Sequence, residues 1–222
     1  MTELEKLALD VEHGEAQAVC ERIRRLLNEG CSPEELLRGG IMPGLQTVGE
    51  KFEAQEYFIP EMLRAARAAK LGSELLRSRF GQNVPVSAKK MVLGTVRNDL
   101  HDIGKNLVVM AVEGAGIEVV DLGVDVPAEQ FVRAAEQDPD VALVGVSALL
   151  TTTLPAMEQT VRALRACKAA DRITIFVGGA PVTESYAKKI GADIYTETAF
   201  EAARTARALL DQMEGAKQNE NL

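Results

Sequence analysis

At 222 residues, 46% of them hydrophobic and 26% charged, the chain has enough apolar material for one large domain or two small ones. A formal net charge of −8, no tryptophan and 4% aromatic residues exclude a dedicated nucleic-acid binder, which needs a basic face, and an aromatic stacking platform. No apolar run is long enough to span a bilayer and no signal peptide is recognised, so no membrane association and a cytoplasmic setting are expected.

The three cysteines, Cys20, Cys31 and Cys167, are scattered and form no CxxC pair. They read as reduced thiols, not as a disulfide framework or a thiolate metal site.

Residues 1–85 read as helix after helix. Leu4, Leu7 and Val11 share one helical face, and Ala16, Cys20, Ile23 and Leu27 share another. Ser32-Pro33-Glu34-Glu35 is a helix start: a serine cap, proline at the first position and glutamate three after the cap. A further helix spans about 42–55. Pro60 opens the next, which carries Met62, Leu63, Ala66 and Leu71. Four to five short helices with brief connections predict a small all-α bundle. Residues 81–88 have linker composition.

The pattern then changes. Apolar runs at Met91–Val96, Ile117–Leu122, Val141–Leu149, Ile173–Val177 and Ala192–Tyr195 alternate with amphipathic stretches at about 103–115, 127–137, 153–168, 183–190 and 199–213. In the last stretch, Phe200, Ala203, Ala206, Leu210 and Met213 form one stripe. Five β-α repeats with mostly apolar strands predict an α/β domain over 89–214. Its expected core is a flavodoxin-like parallel sheet, covered on both faces, in the order 2-1-3-4-5. Residues 215–222 read as a disordered tail.

In that strand order the ligand crevice lies between the first and third strands, at their carboxyl ends. The loop after the first strand holds Asp99-Leu100-His101-Asp102-Ile103-Gly104, and His101 is one of only two histidines. An imidazole there, with carboxylates at Asp99 and Asp102, is a candidate metal ligand, because ligating histidines normally give their second N–H to a carboxylate. A surface or helix-capping histidine is the alternative. Ser147 and the hydroxyls of Thr151, Thr152 and Thr153 follow the third strand, and one threonine is expected to cap the next helix. Gly178-Gly179 ends the fourth strand, which allows a close backbone approach or simply a turn. Phosphate-loop and dinucleotide fingerprints are absent: Gly104-Lys105-Asn106 lacks the hydroxyl after lysine, and Gly114-Ala115-Gly116 follows a helix. A response-regulator reading, with Asp99 as phospho-acceptor, explains neither His101 nor the paired glycines.

Asp99-x-His101-x-x-Gly104, then 42 residues, Ser147-x-Leu149, then 28 residues and Gly178-Gly179 resembles the signature of His-on cobalamin-binding domains. Gly49-Glu50-Lys51-Phe52 and Glu56-Tyr57-Phe58-Ile59-Pro60-Glu61 resemble the helical cap that precedes this domain in methionine synthase and in free-standing methyltransferase corrinoid proteins. The resemblance implies that His101 is the lower axial ligand of cobalt and that Asp99 bonds its far nitrogen. It implies that Leu100, Asp102, Ile103, Gly104 and Leu149 adjoin the cofactor, that Ser147 contacts the lower base, that Thr151 is a weaker corrin contact, and that Gly178 and Gly179 line the tail channel. The cobalt of such carriers alternates between cob(I)alamin and methylcobalamin.

The implied protein is a methyl carrier, not catalytic alone. Its implied partners are a substrate-specific methyltransferase, a second methyltransferase acting on tetrahydrofolate or a thiol, and a reductive activase. A small subunit of an adenosylcobalamin mutase lacks the cap; a cobalamin-dependent sensor carries a DNA-binding module that is not seen here. A flavodoxin-like domain without cofactor is the remaining alternative.

Overall fold

The computed structural model describes residues 1–79 and 89–220. The linker expected at 81–88 therefore lies outside the described residues. Two compact units emerge. One contains the N-terminal helices with Met110–Ile117 and the chain from Ala203 onward; the other contains the sheet.

Helix α1 (Glu3–Glu12) opens with a capping box. Thr2 Oγ1 accepts the Glu5 N–H at 3.1 Å, and the Glu5 carboxylate accepts the Thr2 N–H at 2.7 Å. It buries Leu7 and Val11 as expected. Helix α2 (Ala16–Asn28) buries Val19, Ile23 and Leu26, so its packed face is rotated from the predicted stripe and only Ile23 is shared. Helix α5 (Ile59–Arg79) explains the rotation. A Cβ at its Gly72 would meet both Val19 Cγ1 and Ile23 Cδ1 at 3.0 Å, so the bare glycine is the slot these side chains fill.

Ser32 caps α3 (Pro33–Leu36), its hydroxyl accepting the Glu35 N–H at 3.2 Å. A π-helical turn at Leu37–Ile41 then runs directly into α4 (Met42–Glu53). Pro60 sits in the first turn of α5, where its missing N–H costs nothing. Met62 and Ala66 are buried on that helix, whereas Leu63 and Leu71 are exposed.

The second unit is a five-stranded parallel sheet in the order β2-β1-β3-β4-β5, with β1 (Lys90–Thr95), β2 (Glu118–Asp121), β3 (Val141–Ser147), β4 (Thr174–Gly178) and β5 (Ile194–Tyr195). The connecting helices are α6 (Ile103–Gly114), α7 (Ala128–Gln137), α8 (Leu154–Ala166) and α9 (Glu184–Ile190). The core packs Val92, Val144 and Ile175 of the sheet with Phe131, Met157 and Leu164 of the helices, all buried. The strand register sets Thr95 beside Ser147 and Ser147 beside Gly178, so three strands end on one rim.

The last helix, α10, runs Ala199–Glu220, where the sequence reading placed a tail from 215. Phe200, Ala203, Ala206 and Leu210 of the predicted stripe are buried. No helix among the described residues is long and apolar enough to cross a membrane.

Candidate functional site

The loop between β1 and α6 is short and heavily bonded. Asp99 turns back on β1, its N–H donating to Val96 O at 3.2 Å. Buried Thr95 donates its hydroxyl to His101 O at 3.0 Å. The Asp99 side chain is fully buried and accepts four hydrogen bonds. Oδ1 takes the His101 ring Nδ1 at 2.7 Å and the His101 N–H at 3.1 Å. Oδ2 takes the Leu149 N–H and the Thr153 hydroxyl, each at 2.8 Å. Burial pushes the Asp99 carboxyl up. The Leu149 N–H, the His101 ring, the Thr153 hydroxyl and the His101 N–H together outweigh it and hold the group at about 2.

An ionised carboxylate against Nδ1 places the ring proton on Nδ1. Nε2 is then the lone-pair nitrogen, on a side chain that is half exposed. On the same loop Leu100 is 73% exposed and Ile103 67% exposed, and Leu149 and Leu150, on the loop that bonds Asp99, are exposed too. Large apolar side chains left in water on the loops that carry an oriented imidazole make a candidate ligand surface. Gly104 adds room: a Cβ there would meet nothing within 4 Å.

The other two loops meet the first on the same rim. Ser147 ends β3 half-buried, and its hydroxyl bonds to nothing among the described residues. Gly178 pairs with it on β4, and a Cβ on Gly178 would lie 3.1 Å from Thr196 O. Gly179 has φ +125°, and a Cβ there would fall 1.9 Å from Ala148 O. Only glycine allows β4 to end that close to the loop after β3.

One expectation is corrected, and two further residues find their places. Thr153 stands at the N-cap of α8, but its hydroxyl accepts no cap bond and instead donates to the Asp99 carboxylate, a charge-assisted bond. Thr151, the residue singled out from sequence, is exposed on a 3₁₀ turn spanning Thr151–Thr153. Asp102 is exposed, and its carboxylate accepts from Asn106 Nδ2 at 3.2 Å, one helical turn on. Sequence reasoning missed Thr153 because a threonine before a helix has the same signature whether it caps the helix or reaches a neighbouring loop. Val141–Leu149 also ends early as a strand, at Ser147, which frees the Leu149 N–H to turn onto Asp99.

Among the described residues, no group of three or more histidines, cysteines, aspartates or glutamates could hold a metal ion. The donor set of the rim is one imidazole nitrogen, an apolar surface and glycine-cleared space. That set suits a metal already held within its own macrocycle and needing a single axial nitrogen.

Known proteins carry the same plan. Residues 89–204 match the B12 binding domain, and residues 3–77 match a second model also described as a B12 binding domain. The chain is 40% identical over 182 residues to dimethylamine corrinoid protein 3 of Methanosarcina acetivorans, covering 80% of this chain and 83% of the relative. A cobalamin-binding protein from Desulfitobacterium hafniense superimposes with a TM-score of 0.80 at 30% identity, over 92% of this chain and 97% of that one. The methanol:cobalamin methyltransferase complex of Methanosarcina barkeri contains a chain that matches with a TM-score of 0.72 at 29% identity, over 92% of this chain and 78% of that one.

Proposed function

The chain belongs to the B12-binding family of corrinoid proteins, and on that premise we propose that it carries a methyl group on a bound corrinoid between two methyltransferases. The observation behind this reading is the outward Nε2 of His101, fixed through Nδ1 by a buried Asp99 carboxylate. When bound, the corrinoid supplies a cobalt centre that takes up and gives up a methyl group.

His101 would hold that cobalt through Nε2. Asp99 fixes the ring tautomer and orientation and raises the basicity of Nε2. Leu149 and Thr153 keep the carboxylate ionised, so the ring proton stays on Nδ1. Leu100, Ile103 and Leu149 give the macrocycle an apolar bed, and Gly104 keeps the first turn of α6 clear of it. Ser147, Gly178 and Gly179 line the space for the nucleotide tail. Asp102 and Thr151 stand at the exposed edge of the same site.

One partner is a substrate-specific methyltransferase acting on a methylamine, methanol, methyl ether or betaine. A second would pass the methyl group to tetrahydrofolate or a thiol, and a reductive activase is the third expected partner. The dimethylamine relative and the methanol:cobalamin methyltransferase complex support this class of partner. The helical half, which separates a methyl carrier from a mutase subunit, is itself matched at residues 3–77. The setting is the cytoplasm.

Reconstitution with hydroxocobalamin tests the reading, using a cofactor whose lower-base nitrogens are isotopically labelled. EPR of the cob(II) form of the wild type should show the splitting of an unlabelled axial nitrogen, and His101→Ala should lose it. Stoichiometric binding with the same spectrum in both proteins would overturn the ligand assignment, and absence of binding would overturn the function.

A further inference from the structure

The loop that carries His101 is also held by the loop after β2, which none of the signature residues belongs to. Asn98 and Asp125 both have positive φ, 63° and 54°, uncommon for residues with a side chain, and Asp125 bonds Asn98 and its neighbour Asp99 once each. The Asp125 carboxylate accepts the Asn98 N–H at 2.7 Å, and the Asp125 N–H donates to Asp99 O at 2.9 Å. Arg97 Nε lies 3.5 Å from the same carboxylate. The loop after β2 is itself tied to β1, through Thr95 N–H to Gly123 O and Val126 N–H to Thr95 O. Residues 97–99 are thus gripped by an element that begins on β2 and is anchored in the sheet.

We infer that Asp125 is a positioning residue for the axial histidine, its carboxylate and N–H together fixing the backbone of Asn98 and Asp99 so that Nε2 of His101 is presented in one place. The inference rests on the methyl-carrier reading and deepens it. Asp99 sets the ring through its side chain, but the Asp99 backbone needs its own restraint. Its side chain is bonded to the loop after β3, and its carbonyl to the loop after β2. Removing the carboxylate of Asp125 leaves the Asn98 N–H without an acceptor and lets the left-handed turn relax. His101 then pays a larger ordering cost to bind cobalt. Asp125 bonds to Asn98 and Asp99 and lies beside Arg97, so it acts on His101 through Asn98 and Asp99.

Two substitutions separate the carboxylate from the backbone conformation. Asp125→Asn tolerates positive φ and keeps an oxygen acceptor; Asp125→Gly adopts positive φ freely and has no acceptor. Each is loaded with cob(II)alamin carrying labelled lower-base nitrogens, and the ratio of His101-ligated to unligated cobalt is read by EPR beside wild type and His101→Ala. Asp125→Gly should lower that ratio by about tenfold, the worth of one hydrogen bond to a charged acceptor, with unchanged far-ultraviolet circular dichroism. Asp125→Asn should stay within about twofold of wild type.

A wild-type ratio in Asp125→Gly overturns the inference, as does an Asp125→Asn protein that falls as far as Asp125→Gly. A wild type without any axial nitrogen overturns the methyl-carrier site itself, and the inference with it. Should Asp125→Gly not fold, amide exchange at Asn98 in cofactor-free wild type decides: protection supports the clamp, and exchange at the rate of an open loop overturns it.

Discussion

Asp99 is a carboxylate that burial disfavours and four donors retain. Held at about 2 in the fold against 3.8 ordinarily, it binds fewer protons folded than unfolded between those values. Its contribution to stability is therefore complete above about pH 4 and is lost as the pH falls toward 2. Asp99→Asn places an N–H₂ where either Leu149 N–H or the His101 donors now find an acceptor, and should destabilise by about 1–3 kcal/mol at pH 7. Urea titrations of the two proteins from pH 7 to pH 2 should show that gap closing in the acid range; a gap independent of pH would disprove the assignment. At this scale the sequence reads unevenly. The pairing of Asp99 with His101 is legible because two residues of spacing allow it, whereas Thr153 is not. A bond across 54 positions depends on two strands lying side by side.

Strand ends and helix faces decide the next level. Gly179 lets β4 stop against Ala148, so Gly179→Ala brings both a backbone clash and a disfavoured φ. It should cost about 1–3 kcal/mol for the conformation alone, plus the displacement of the loop that supplies Leu149 to Asp99. Thermal melting and cobalamin uptake should fall together, and loss of neither would show that the rim absorbs the shift. In the helical unit the packed face of α2 is the Val19, Ile23 and Leu26 face. Ile23→Ala should cost about 2–5 kcal/mol, and Leu27→Ala, on the half-buried flank, clearly less. Chemical denaturation of the two variants distinguishes that face from the stripe that periodicity alone suggests. Periodicity located α2 but not its orientation, because a wide apolar stripe leaves the packed direction to the neighbouring helix. Here the choice falls to the slot at Gly72.

At the scale of the molecule, a ligand that binds only the folded state stabilises it by mass action. Cobalamin at a hundredfold excess over its dissociation constant should add about 2.7 kcal/mol, visible as a higher melting temperature that His101→Ala reduces. An unchanged melting temperature on loading would mean that the site does not form as described. The two-part plan, the parallel sheet in the order 2-1-3-4-5 and the rim shared by Asp99, His101, Ser147, Gly178 and Gly179 were all readable from the chain. Apolar alternation and strand-end residues are local signals, and an open parallel sheet of this order puts its ligand loops at one edge. The tertiary structure alone decided how the compact units divide, drawing Met110–Ile117 and the chain from Ala203 in with the N-terminal helices. It alone decided that Thr153 and the Leu149 N–H complete the support of Asp99 and so of His101, and that Asp125 bonds the same loop. Each of those depends on which distant segments are brought within about 3 Å of one another, and a linear pattern carries no such distance.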